Sequence, residues 1–123
     1  MKTTKEELRS EIREVYYDSF CEDGDPQILS KRNLHWQSKS YFTVQDVIFA
    51  MNGILYNDFD VNILEKLAQS FPKTKCKPAR EGSVCIYIET PTKNVKQLMA
   101  WLQANSLANE IDKEDKQIRL WWD

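Results

Sequence analysis

Glycine, proline, histidine and cysteine are all scarce in this chain: its 123 residues include three Gly, four Pro, one His and three Cys. Gly24, Gly53 and Gly82 stand too far apart for a phosphate-cradling loop or a dinucleotide fingerprint, which excludes P-loop nucleotide hydrolysis. With so little Gly and Pro against 41% hydrophobic and 29% charged residues, collagen-like, low-complexity and wholly disordered classes are excluded too. No long apolar run exists. None exceeds five residues, as in Val47 to Met51, far short of the roughly 20 that span a bilayer, so no membrane helix is expected. The first residues, Met1 to Glu7, run straight into a charged amphipathic pattern without the apolar core of a secretory signal, and a cytoplasmic location is the expectation.

The scarcity of ligating side chains excludes most site chemistry. One His and three dispersed Cys do not supply the paired spacing of a structural zinc site. Glu22, Asp23 and Asp25 lack the alternating acidic loop and distant bidentate Glu of a calcium site, and read as a solvated turn. No metal and no cofactor is expected. His35 could pair formally with Cys21, Cys76 or Cys85, but no local signature marks a nucleophile, and beside Trp36 it reads as a packed or surface imidazole. Three cysteines without a Cys-x-x-Cys pair fit reduced, buried thiols. Cys76 and Cys85 flank an expected hairpin, where two small core residues are the first reading and a facing redox pair the lesser one.

What is present is an ordered succession of hydrophobic periods. Thr4-Lys5-Glu6-Glu7 fits a capping box, and Leu8, Ile12, Val15 and Tyr16 continue it as one apolar helical stripe. The 22–26 cluster stops that helix, and 27–42 is ordered against the core with a short strand near 40–43. Thr43 caps a second helix with Val44, Val47, Ile48, Met51 and Leu55 inward, and Asp60 caps a third carrying Val61, Leu64, Leu67, Ala68 and Phe71. Pro72 ends it.

From Lys73 the period changes to two. Val84, Ile86 and Ile88 alternate with Cys85 and Tyr87, and 73–78 forms the hairpin partner through 79–82. Thr90-Pro91 opens a fourth helix with Val95, Leu98, Met99 and Leu102 inward, and a second hairpin, 107–112 with 117–122, closes the chain. The expected fold is therefore α+β: one domain, 1–123, with about four helices packed on an antiparallel sheet built from two C-terminal hairpins. Its 1–72 part is mainly helical and its 73–123 part is hairpin, helix, hairpin.

The net charge of -2 divides unevenly along the chain, since residues 1–27 carry four basic and eight acidic side chains whereas 73–80 carries Lys73, Lys75, Lys77 and Arg80 with no acid. On a strand the three lysines would project in a row able to follow a phosphate backbone, against the plainer reading of lysines that guard a sheet edge. A winged-helix arrangement is disfavoured, because the outward residues of its recognition helix would be Asn62, Glu65, Lys66, Gln69 and Ser70, with a single cation.

Aromatics, by contrast, are plentiful, with four Trp, five Tyr and five Phe. Trp101 sits one position off its helix stripe. Trp121 and Trp122 must point to opposite faces of the last strand, and Trp121 beside Arg119 has the composition of an interface hot spot. The leading expectation is a non-catalytic cytosolic binding protein, such as an inhibitor, adaptor or small regulatory subunit, meeting a protein partner through Trp101, Arg119, Trp121 or the C-terminal edge. Nucleic-acid binding through the 73–80 hairpin is the alternative, a homodimer through the last strand a further arrangement, and an enzyme assembled from carboxylates and His35 the weakest reading.

Overall fold

A computed structural model describes residues 4–15, 34–35, 41–56, 58–80 and 84–122. The expected features at Tyr16, Cys21, the 22–26 turn, Trp36 and Gly82 lie outside the described residues. Helix α1 (Lys5–Val15) begins where the capping box requires: Glu7 N–H donates to Thr4 Oγ1 at 3.1 Å and Thr4 N–H to Glu7 Oε1 at 3.2 Å. Its stripe residues Leu8 and Ile12 are fully buried. They face α2 (Val44–Met51), whose N-terminus is capped by Thr43 Oγ1 accepting from Asp46 N–H. Arg9 of α1 closes the other end of α2 by donating to the carbonyls of Phe49 at 3.1 Å and Asn52 at 2.9 Å. A cation at the negative end of the helix dipole thus ties the two helices together.

Helix α2 is shorter than its apolar pattern suggests. Gly53 takes φ 99°, Ile54 N–H bonds back to Met51, and Leu55 enters a strand instead of a last helical turn. Short strands β3 (Leu55–Tyr56) and β4 (Phe59–Asp60) form a hairpin; α3 (Asn62–Ser70) follows with Val61, not the expected Asp60, at its N-cap and no side-chain cap bond there, while Asp60 Oδ1 accepts from Asn62 N–H at 2.9 Å in the preceding turn. Ile63, Leu64 and Leu67 of α3 are buried, and Asn62, Glu65, Lys66, Gln69 and Ser70 are exposed as expected.

The sheet is wholly antiparallel. The hairpins β5 (Lys75–Arg80) with β6 (Val84–Glu89) and β7 (Glu110–Lys113) with β8 (Gln117–Trp122) join where β6 pairs with β8, giving the order β5, β6, β8, β7. The outer side of β5 is paired by two fragments, β1 (Leu34–His35) against Arg80 and Ala79, and β2 (Phe42–Thr43) against Cys76 and Lys75. Among the described residues Lys77 and Pro78 are paired by β6 alone, and Pro78, which has no N–H to donate, sits in that stretch. Strand β5 therefore runs two residues beyond the expected 73–78, and Lys73 lies in the turn that precedes it.

Helix α4 (Val95–Asn105) also starts later than expected. Thr90 does not cap it: the helix begins only at Val95, and the Thr90 N–H bonds to the Lys116 carbonyl at 3.1 Å, which holds the end of β6 against the β7–β8 turn. Asn94, with a left-handed φ of 62°, leads into the helix instead.

One face of the sheet carries Cys76, Val84, Ile86, Ile88, Ile118, Leu120 and Trp122 into the main core with the helices, and the result is an α+β domain with four helices among the described residues. The other face buries a smaller cluster of Ala79, Cys85 and Tyr87, beside a partly buried Trp121. The two cysteines are consequently not a facing pair: Cys76 lies opposite Ile88 in one core and Cys85 opposite Ala79 in the other.

Trp122 anchors the main core. Its ring meets Phe59 edge-on at 4.9 Å and 72°, and its Nε1–H donates to the Ser106 carbonyl at 2.8 Å, just past the end of α4. Trp122→Phe leaves that carbonyl without its donor and opens a void, so urea unfolding should show a loss of about 2–4 kcal/mol; an unchanged midpoint would contradict the anchoring role.

Candidate functional site

The aromatic residues expected at an interface are divided between the two sides of the sheet. Trp101 is half-buried on α4 against the main core, with its ring 6.4 Å from that of Phe71 and nearly perpendicular to it. Trp121 belongs to the opposite cluster, with the Arg119 guanidinium 5.9 Å from its ring. That guanidinium is itself bound by two carboxylates of β7, at 3.0 Å from Glu110 Oε1 and 3.2 Å from Asp112 Oδ2. Arg119 and Trp121 are therefore neighbours, and Trp101 is not part of their surface.

The lysine row is not a surface row. Lys73 and Lys75 are exposed, whereas Lys77 retains only 4% of its exposure and sets its ammonium 4.0 Å over the Tyr41 ring. Arg80 ends β5 opposite Val84. His35 is in β1 opposite Ala79. Burial pushes the Cys76 thiol up to about 12, which keeps it protonated and unreactive. Among the described residues no three His, Cys, Asp or Glu side chains gather where they could hold a metal ion, and no helix is long and apolar enough to cross a membrane.

Two features go beyond the sequence reading. The first is the β7 end of the sheet, where the expected C-terminal edge falls, because the last strand, β8, is paired on both sides by β6 and β7 and is not itself an edge. Past α4, Leu107 takes a left-handed φ of 59° and leaves 62% of its surface exposed. This is the position at which helices commonly end on glycine, since a side chain there meets the following carbonyl at a cost of about 1–2 kcal/mol. Next comes β7, which among the described residues pairs only with β8. Glu114 N–H bonds to the Gln117 carbonyl, and the antiparallel alternation from that bond turns the backbone groups of Asp112 inward and those of Ile111 and Lys113 outward. The edge thus offers two residues of main-chain hydrogen bonding, a half-buried Ile111 on the core side, and Glu110 and Asp112 on the other. No apolar periodicity marks Glu110-Ile111-Asp112-Lys113, and a positive φ at Leu107 has no sequence signal at all.

The second feature is a cleft of about 630 Å³ at the far end of β6, between Tyr41, the Glu89-Thr90-Pro91 segment and the β7–β8 turn, with Lys77 on its wall. Tyr41 Oη donates to Gln117 Oε1 across a long 3.4 Å, and Gln117 Nε2 donates to Glu114 Oε2 at 3.2 Å. Burial, then the carboxylates of Glu89 and Glu114, hold the Tyr41 phenol above its usual 10.0. Burial lowers the Lys77 ammonium from its usual 10.5, and Glu89 works in the opposite direction.

Compared with known proteins, the chain matches no family model, no curated protein and no solved structure.

The cleft electrostatics fix the sign of a pH response. The folded chain keeps the Tyr41 proton after the unfolded chain has lost it, so this group's stabilisation is present below pH 10.0 and is lost as pH rises through the folded value. Glu89→Gln removes one of the two carboxylates and should bring the Tyr41 titration down, measured as the tyrosinate absorbance that Tyr41→Phe eliminates; an unmoved titration would place Glu89 outside the phenol's field.

Proposed function

We propose that this chain is a non-catalytic binding protein of the cytosol, an inhibitor, adaptor or small regulatory subunit, that holds a protein partner by adding the partner's strand to the β7 edge. The single observation that carries this reading is Leu107, a large aliphatic side chain exposed at a left-handed position where glycine would relieve the backbone, directly before an edge strand with outward-facing amides. Strand addition uses main-chain hydrogen bonds for affinity and alternate side chains for choice of partner. Here Ile111 supplies apolar contact on the core side, with exposed Leu107 just ahead of the strand. On the other, Glu110 and Asp112, with 53% and 60% of their side chains exposed, share the one guanidinium of Arg119 and leave a residual negative charge. The complementary occupant is an extended segment that alternates basic and apolar residues.

A second copy of this chain fits the same edge poorly. With the two-fold at Ile111, Glu110 meets Asp112 of the second copy; with it at Asp112, the two Asp112 carboxylates meet; with it at Lys113, Asp112 meets Glu114. Every symmetric antiparallel register opposes like charges, which destabilises the pair. The buried Cys76 thiol, held protonated, supports a reducing compartment.

The experiment is fluorescence anisotropy with two labelled peptides, one alternating Lys with Val and one alternating Glu with Val. The Lys peptide should bind saturably and weaken with added salt, and Leu107→Gly should weaken it further while raising stability by about 1 kcal/mol. Equal binding of both peptides, or of neither, would overturn the reading.

A further inference from the structure

The chain contains one Asn-Gly step, Asn52-Gly53, at the end of α2, and both residues are exposed. Such a step can react with its own backbone, because a glycine nitrogen has no neighbouring Cβ to screen it. The Gly53 nitrogen loses its proton to a base of the solvent and forms a bond to Asn52 Cγ. The Cγ–Nδ2 bond then breaks, and Nδ2 takes up a proton and leaves as ammonia, so that a succinimide ring remains. Water opens the ring. Cleavage between the nitrogen and Cγ gives aspartate, whereas cleavage between the nitrogen and the main-chain carbonyl carbon gives isoaspartate, in which the chain runs through Cβ and Cγ.

Two restraints in the fold oppose ring closure. The first is the turn itself. Met51, Asn52, Gly53 and Ile54 form a β-turn closed by the Ile54 N–H bonding to the Met51 carbonyl at 3.1 Å, with Asn52 at φ -60° and ψ 128° and Gly53 at φ 99°. This is the type II arrangement, which favours glycine after its first central residue. Ring closure needs the Gly53 nitrogen swung to the Cβ side of the Asn52 Cα–C bond, which for an L residue means a negative ψ, so the folded turn holds the nitrogen out of line. The second restraint is Arg9, which reaches from α1 to donate to the Asn52 carbonyl at 2.9 Å and the Phe49 carbonyl at 3.1 Å. The Asn52 carbonyl oxygen and the Gly53 nitrogen share one rigid peptide plane, so the rotation that brings the nitrogen to Cγ carries the oxygen off the guanidinium. Helix α1 thereby latches the reactive peptide. We propose that Asn52 is a site of spontaneous conversion to aspartate and isoaspartate, and that the docking of α1 through Arg9 sets its rate. The product falls on the same contact: in isoaspartate the carbonyl that Arg9 holds becomes the free carboxylate, an anion on a turn lengthened by one methylene.

The test incubates the whole protein in mildly alkaline buffer, folded and in concentrated urea, and follows each asparagine by peptide mapping with mass spectrometry, aspartate and isoaspartate peptides being separated by chromatography. The folded chain should convert at Asn52 ahead of every other asparagine, and at least tenfold more slowly than the chain in urea. Arg9→Met, confirmed as folded by circular dichroism, should raise the folded rate at least threefold. Ile118→Ala, a core change in β8 that lowers global stability without removing the guanidinium, should raise it less. No conversion at Asn52 in the folded chain, equal rates folded and in urea, or an Arg9→Met rate no higher than that of the unaltered chain or of Ile118→Ala would overturn the proposal. The comparison with urea needs no variant, so it decides whether the fold restrains Asn52 even where Arg9→Met does not fold.

Discussion

The indole of Trp122 joins parts of the chain that have no other reason to meet. It ends the last strand of the sheet, stacks edge-on against Phe59 of the β3–β4 hairpin, and donates to Ser106 at the end of α4. Because it is fully buried and its one polar atom is bonded, the indole contributes its whole apolar surface without an orphaned donor. The geometry of the chain beyond α4 follows from this. Ser106, held by Trp122, is where the helix ends; Leu107 then takes the left-handed turn, and the chain enters β7 alongside β8. Among the described residues, the exposed leucine and the β7 edge follow that core contact directly along the chain.

The strands behind that contact were legible because alternation is a strong signal when one face is buried. Val84, Ile86 and Ile88 in β6 and Ile118, Leu120 and Trp122 in β8 are found in register with one another, Ile86 opposite Leu120, and all inward. The capping box of α1 and the cap of α2 were legible for the same local reason: Thr4 with Glu7 and Thr43 with Asp46 need no tertiary context. The misplaced boundaries have tertiary causes. Leu55 fits the α2 stripe, yet the turn at Gly53 diverts it to a hairpin, and Thr90-Pro91 has the composition of a cap, yet the helix begins only at Val95 while the Thr90 N–H bonds to Lys116. Two-residue strands such as Leu34–His35 have no period to detect.

Site residues were less legible, because exposure depends on what lies across the sheet. Lys75 and Lys77 look alike in sequence; one is at the surface and the other is beneath the reach of solvent, over the Tyr41 ring. Arg119 and Trp121 were expected side by side and are found so, but Glu110 and Asp112, which bind that guanidinium, come from the neighbouring strand nine and seven positions away. The cleft joins residues from position 41 to position 117 and could not have been assembled from spacing.

The central claim is that β6 is the sealed middle of the sheet and that β7, among the described residues, is its open margin. Amide hydrogen exchange on the protein alone tests it most directly. Ile86 and Ile88 should be among the slowest amides, and Ile111 and Lys113 should exchange rapidly while their neighbour Asp112, bonded inward to β8, is protected. Protection at Ile111 and Lys113 equal to that of β6 would mean that the edge is already closed, and would contradict the account.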